Sequence, residues 1–298
     1  MSNVILLDGG MGQELVRRSG DRPTALWSTQ VMIDRPSLVL DIHRDFFAAG
    51  ATVATTNTYA MLRDRLDRVG LADEIGRLAD TALRAAETAR DENGHGMIAG
   101  AIGPLVASYR PDLCPPPDMA AALYAEPVRL LADRADLILF ETMSSVAQAE
   151  GALLAMQPYD KPVWIALSVD DHDGRKLRSG EPIEMVSRLF ERFEPAAVMI
   201  NCSPPETIGA ALDVVRDFGL PFGAYANGFV SIAEGFLTDA PTVDALTRRE
   251  DLSPAAYAAF VADWVAQGAT IVGGCCEVGP EHIAEVAATL RRAGHSVI

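Results

Sequence analysis

The chain has 298 residues, 49% of them hydrophobic, enough for one α/β barrel of the usual size of about 250 residues or for two smaller domains. A formal net charge of −16 argues against nucleic acid and anionic membrane surfaces as partners, since both demand basic faces. No apolar run reaches the roughly 18 residues of a membrane span, no basic leader precedes the first strand, and four cysteines make no disulfide framework. A reducing cytoplasm is therefore the expected compartment.

In chain order, residues 4–8 form a short apolar run ending in Asp8, followed by Gly9, Gly10, Met11 and Gly12. These glycines lack the Walker spacing and its Lys-Ser/Thr pair, so they do not read as a phosphate loop. A helix is predicted after Pro36 and Ser37, with Leu38, Ile42, Phe46 and Phe47 on one face and Gly50 as its stop. Residues 52–59 read as a β-branched strand with a polar tip, 60–92 as helical, and 97–102 as a third strand. The proline-rich segment 108–118 is a loop, and Cys114 within it has no evident partner. Strands follow at 136–141, closed by Glu141, and at 163–168. The acidic stretch after the latter, Asp170 to Gly174, fails the calcium-loop spacing and reads as a turn. A sixth strand ends at Cys202, a seventh covers 221–227, and the eighth begins at Ala269 and runs into Gly273, Gly274, Cys275, Cys276 and Glu277.

Eight short apolar strands alternating with helices, without a break in composition, predict one (β/α)8 barrel over residues 1–298; a doubly wound sheet is the alternative. The barrel brings the polar residues at the strand ends onto one rim: Asp8, Asn57, Glu141, Ser168, Cys202, Asn227, Cys275 and Cys276. Adjacent cysteines rarely bridge each other, because their Cα atoms are only about 3.8 Å apart. Three strand-tip cysteines instead suit a soft metal, and zinc with three protein ligands and an open fourth position is a catalytic arrangement. The competing reading is that they are small buried hydrophobes. Three thiolates leave a zinc complex with net charge −1, poor for hydrolysis but suited to holding a substrate thiol in its deprotonated form. The chemistry this favours is alkyl transfer to sulfur.

Four segments carry a family resemblance: Asp8 to Leu15, Thr56-Asn57-Thr58-Tyr59, Asn201-Cys202-Ser203 and Gly273-Gly274-Cys275-Cys276. Together they resemble the homocysteine S-methyltransferase family, whose members are zinc-dependent (β/α)8 barrels that methylate homocysteine to methionine. The resemblance implies that Cys202, Cys275 and Cys276 are zinc ligands and that Glu141 receives the substrate's ammonium group. It also implies that the Asp8-Gly9 turn binds substrate, with nearby backbone N–H groups holding the carboxylate. The plainer alternatives are a solvated acid for Glu141 and ordinary turn chemistry for Asp8. Thr56, Asn57, Tyr225 and Asn227 are expected to shape the rim.

The implied methyl donor is an onium cation, because the chain has no room for folate and cobalamin modules. Onium groups favour aromatic faces, which Trp27, Tyr59, Tyr225 and Phe229 can supply. Leu26-Trp27-Ser28 and Glu141-Thr142 resemble the S-methylmethionine branch of the family, as does the short stretch after Cys276. The alternatives are a betaine- or dimethylsulfoniopropionate-dependent enzyme and a non-catalytic zinc- and thiol-binding barrel. The expected partners are thus homocysteine and a cationic small-molecule donor, with monomer and small homo-oligomer both left open.

Overall fold

The computed structural model describes residues 2–20, 28–232, 235, 237 and 246–298. Among them, β1 (Asn3–Leu6), β2 (Val53–Thr55), β3 (Met97–Ile102), β4 (Leu137–Met143) and β5 (Val163–Leu167) are followed by β6 (Ala197–Asn201), β7 (Phe222–Tyr225), β8 (Ile271–Val272) and β9 (Ser296–Val297). They form one parallel sheet in the order β2-β3-β4-β5-β6-β7-β8-β1-β9. The sheet curls. The chain after β1 reaches β2: Leu7 bridges Val53, the Thr52 N–H donates to the Leu6 carbonyl at 2.7 Å, and the Asp8 N–H donates to the Val53 carbonyl at 3.1 Å.

The helices near the first two strands are α1 (Met11–Ser19), α2 (Ser28–Asp34), α3 (Pro36–Ala49), α4 (Arg63–Asp67) and α5 (Ile75–Asn93). Then come α6 (Pro117–Ala132), α7 (Val146–Met156), α8 (Ser187–Phe193), α9 (Pro205–Val215), α10 (Pro254–Ala266) and α11 (Pro280–Arg292). Proline opens α3, α6, α9, α10 and α11, where a missing N–H costs nothing. Among the described residues, no helix is long and apolar enough to cross a membrane.

Three local expectations are corrected. The strand predicted over 52–59 stops at Thr55, because the Thr58 N–H turns back onto the Thr56 carbonyl at 2.7 Å. The helical stretch 60–92 is broken between α4 and α5 by Gly70, whose φ of 72° lies in the left-handed region. A ninth strand, absent from the sequence reading, pairs Ser296 and Val297 with Asn3 and Val4.

Strand parity decides what faces the site. Leu7, Val53, Ala99, Leu137, Leu139, Trp164, Ala166, Ala197, Met199, Tyr225 and Ile271 pack with one another inside the curl. Their neighbours, such as Ile138, Phe140, Ile165, Val198 and Ile200, join the larger core shared with the helices. Continuing the inward register by two residues carries Leu139 to Glu141 and Met199 to Asn201, which places both at the sheet's C-terminal edge.

The Asp8-Gly9-Gly10 and Gly273-Gly274-Cys275 segments interlock there. The Gly274 N–H donates to the Asp8 carbonyl at 2.9 Å, and the Gly10 N–H donates to the Val278 carbonyl at 2.9 Å. A Cβ on Gly9 would lie 2.1 Å from the Val278 carbonyl oxygen, and one on Gly274 would lie 2.2 Å from Val278 Cγ1. None of these four glycines has positive φ, so they serve close backbone approach rather than a left-handed turn. Gly9→Ala is therefore expected to lose at least about 1–3 kcal/mol of stability through overpacking, read as a fall in denaturation midpoint. An unchanged midpoint would show that the two segments separate at no cost.

Candidate active site

The turn after β6 and the turn after β8 bring three free cysteines together. The Cys202 and Cys275 sulfurs are 2.9 Å apart, Cys202 and Cys276 are 3.7 Å apart, and Cys275 and Cys276 are 4.0 Å apart. Thiolates at about 2.3 Å around a tetrahedral zinc are separated by about 3.8 Å, so two spacings already match and the third opens by under an ångström. The backbone is fixed on both sides: the Cys202 N–H donates to the Tyr225 carbonyl and the Cys275 N–H to the Ala226 carbonyl. Cys202 has φ 48° and Glu277, beside Cys276, has φ 66°, conformations that non-glycine residues adopt when the surroundings impose them. Hydrogen bonds from Cys275, from Cys276 and from the Tyr109 hydroxyl hold the Cys202 thiol well below its ordinary range, so it is the first of the three to ionise. Cys275 and Cys276, facing that sulfur, are pushed up. Cys114 stands apart, half-buried in the loop before α6.

The cysteines form one side of a cavity that holds about 760 Å³ of space free of protein atoms, its open mouth included. Two carboxylates also line it. Asp8 accepts from the Thr55 N–H and the Thr55 hydroxyl, both at 2.8 Å. Burial pushes its carboxyl up to about 7, against the pull of those two bonds. Glu141 accepts from the Tyr225 hydroxyl at 3.0 Å, and burial, with Asp8 adding to it, pushes its carboxyl up to about 8. Each is a carboxylate whose hydrogen bonds among the described residues come from neutral donors in a desolvated place, which favours a cationic ligand.

Glu141 is aimed by an irregularity in β4. The register with β5 shifts between Phe140 and Met143, and Thr142 takes φ 63°. Asn201 holds this kink, accepting from the Thr142 N–H at 2.9 Å and donating to its hydroxyl at 3.1 Å. The start of α1 adds a stretch of wall beside the cysteines: Gly9 and Gly10 before it, and Met11, Gly12 and Gln13 in its first turn, border the cavity. Backbone donors at a helix start lack intrahelical partners and suit an anion.

Other expected residues fall variously. Thr56, Asn57, Tyr59 and Tyr225 line the cavity. Thr56 shares its hydroxyl with Thr58 and accepts from the Ala101 N–H, while Asn57 donates to the Ser28 carbonyl. Asn227 is buried, accepts from the Phe229 N–H and does not border this cavity; Phe229 borders a neighbouring one. Trp27 lies outside the described residues. The sequence reading missed Thr55, which fixes Asp8, and Tyr109, which touches Cys202. Neither carries a motif signal beyond its type.

The profile of the family described as homocysteine S-methyltransferase matches residues 5–290. The chain belongs to the homocysteine S-methyltransferase family. The motif resemblance is thereby borne out, and with it the class of methyl-transferring enzymes. The homocysteine S-methyltransferase of Escherichia coli (strain K12) is 29% identical over 304 residues, spanning 96% of this chain and 95% of that protein. Homocysteine S-methyltransferase YbgG of Bacillus subtilis (strain 168) is 28% identical over 309 residues, spanning 97% and 95%. The crystal structure of the homocysteine methyltransferase MmuM from Escherichia coli, metallated form, superposes with a TM-score of 0.80 at 26% identity and covers 96% of both chains. Within such a family the cysteine cluster is a candidate metal centre, and its all-sulfur donor set suits a soft ion.

Proposed function

We propose that this family member moves a methyl group from an onium donor to the sulfur of homocysteine, forming methionine, on a single domain over residues 1–298 built as a closed (β/α)8 barrel. The observation that carries this reading is the meeting of Cys202, Cys275 and Cys276 at the wall of a cavity that also holds Asp8 and Glu141. The three thiols fit zinc in donor type and spacing. Zinc held there by Cys202, Cys275 and Cys276 would take the substrate sulfur in its fourth position and keep it as a thiolate.

The chain's own groups orient the substrate. Glu141, steadied by Tyr225, pairs with the homocysteine ammonium, and the first turn of α1 receives the carboxylate. Asp8, anchored on Thr55, adds negative charge to the same wall. The methyl group leaves the onium centre with a vacant orbital and bonds to the substrate sulfur's electron pair; the donor departs neutral and the thiol proton is lost to solvent. Tyr59 and Tyr225 offer aromatic faces to the cation. Thr142, where the betaine branch commonly has an aromatic residue directly after the acid, favours a sulfonium donor such as S-methylmethionine over betaine.

The test is methionine formation from homocysteine with S-methylmethionine, betaine, dimethylsulfoniopropionate and S-adenosylmethionine in parallel. S-Methylmethionine is expected to give the highest kcat/KM. Turnover with betaine alone would overturn the donor assignment, and no turnover with any of them would favour a zinc- and thiol-binding barrel without catalysis.

A further inference from the structure

Tyr109 and Arg178 form a network around Cys202 that the proposed substrate contacts do not use. Tyr109, only 8% exposed, donates its hydroxyl proton to the Cys202 sulfur at 3.0 Å. It does so from φ 61°, a conformation that persists in a bulky residue only where the surroundings impose it. Over the face of the ring lies the Arg178 guanidinium, 4.7 Å from the ring centroid. Arg178 is itself fixed. Its Nε donates to Ser168 Oγ at 2.7 Å, and its Nη2 donates to Asp171 Oδ1 at 2.7 Å and to the Cys202 carbonyl at 3.4 Å. The side chains of this ion pair are 10% and 12% exposed. Asp171 in turn accepts from the Ile232 N–H at 2.8 Å, which ties the loop after β5 to the chain beyond β7.

We propose that Tyr109 and Arg178 are positioning residues for Cys202: the phenol holds the sulfur toward Cys275 and Cys276, and the guanidinium holds the phenol and offsets the negative charge gathered on three metal-bound thiolates. The inference rests on the metal-site reading above. A phenol O–H on a thiolate both fixes its rotamer and removes part of its excess electron density. Hydrogen bonds to metal ligands of this kind are worth about 10–100-fold in metal affinity. Arginine suits the second role because its planar cation stacks on an aromatic face while its edge donors are held elsewhere.

The experiment uses the full chain carrying Tyr109→Phe, Arg178→Met or Arg178→Lys, beside wild type. Zinc affinity is read by competition with a chromophoric chelator, the thiolate-to-metal absorption band from the cobalt(II)-loaded protein, and folding from thermal melting. Tyr109→Phe is expected to weaken zinc binding by about 10–100-fold and to move the cobalt band to lower energy, because the sulfur becomes more electron-rich. Arg178→Met should weaken zinc in the same direction, and Arg178→Lys should recover part of the loss by restoring charge without the planar stack. Unchanged zinc affinity and cobalt band in Tyr109→Phe, even with a lower melting temperature, would overturn the proposal and make the network purely structural. If Tyr109→Phe does not fold, the two Arg178 variants decide by the same readings. A wild type that holds neither metal overturns the metal-site reading and this inference with it; a wild type that holds zinc, with variants that match it, overturns this inference alone.

Discussion

Cys202→Ala, Cys275→Ala and Cys276→Ala are each expected to lose the bound zinc on purification, whereas Cys114→Ala keeps about one zinc per chain. The three sulfurs lie within 4.8 Å of one another, and with only three protein ligands each supplies a large part of the binding free energy. Removing one leaves a two-sulfur site that competes poorly with buffer and protons. Cys114 sits in a different part of the fold, and burial pushes its thiol up to about 11, so it offers a poor thiolate near neutral pH. Elemental analysis of the four variants, prepared under reductant because vicinal thiols oxidise readily, gives the answer. Zinc retained in all three of the first set would remove the metal centre from the account. Methyl transfer should disappear with the metal, while melting temperature in the presence of a chelator should change little in Cys275→Ala and Cys276→Ala, since these two cysteines are only partly buried.

How much of this was legible in advance depended on the kind of signal each residue carries. The strands around Ile138, Ile165 and Val198 were readable because both faces of a parallel sheet are buried, which leaves apolar, β-branched runs in the sequence. Thr56 to Tyr59 continues the β-branched run of β2 but is polar, and its hydroxyls and N–H groups find local partners, so local hydrogen bonding competes with the ladder. β9 is two residues long and pairs only with the start of β1, too short to leave a pattern. The cysteines and Glu141 were legible because unusual residue types stand at strand ends. The four glycines were legible as a motif but not in their role, which is the fit of two segments against each other and exists only in three dimensions. Tyr109, Arg178, Asn201 and Thr55 act through neighbours from distant parts of the chain, and one tyrosine or arginine in a loop has no periodicity to betray it. Asn227 shows the converse, since a polar strand tip can equally be consumed by its own turn.

The charges of the site account for the order of the remaining effects. Asp8, Glu141 and the cysteines border one cavity, and the Arg178 guanidinium lies behind the Tyr109 ring rather than on the cavity wall among its lining residues. A substrate ammonium would therefore meet carboxylates that no ion pair among the described residues neutralises, in a place where water screens them less than in bulk. An onium donor would meet the same field.

Glu141→Gln is accordingly expected to raise the KM for homocysteine by about 100-fold while leaving zinc content unchanged. Removing one partner of a buried pair costs about 3–5 kcal/mol. The lower figure applies here because Glu141 opens partly onto the cavity, and about 1.4 kcal/mol corresponds to tenfold in affinity. The pH dependence has a definite sign. Burial holds the Glu141 carboxyl up at about 8, so below that pH the free site is mostly neutral and cannot pair with an ammonium group. Homocysteine affinity should then rise with pH toward 8, at up to about tenfold per unit, until the substrate's own ammonium begins to lose its proton. Binding should release a proton, because the paired ammonium draws the carboxyl back toward its ordinary range. In Glu141→Gln the rise should become shallower, leaving the contributions of Asp8, whose carboxyl sits at about 7, and of the substrate thiol, which gives up its proton on binding. Calorimetric titration across this range in two buffers of different ionisation heat measures both affinity and proton release. If Glu141→Gln keeps the wild-type KM and the wild-type pH profile, Glu141 only supports Tyr225 and the ammonium group pairs elsewhere.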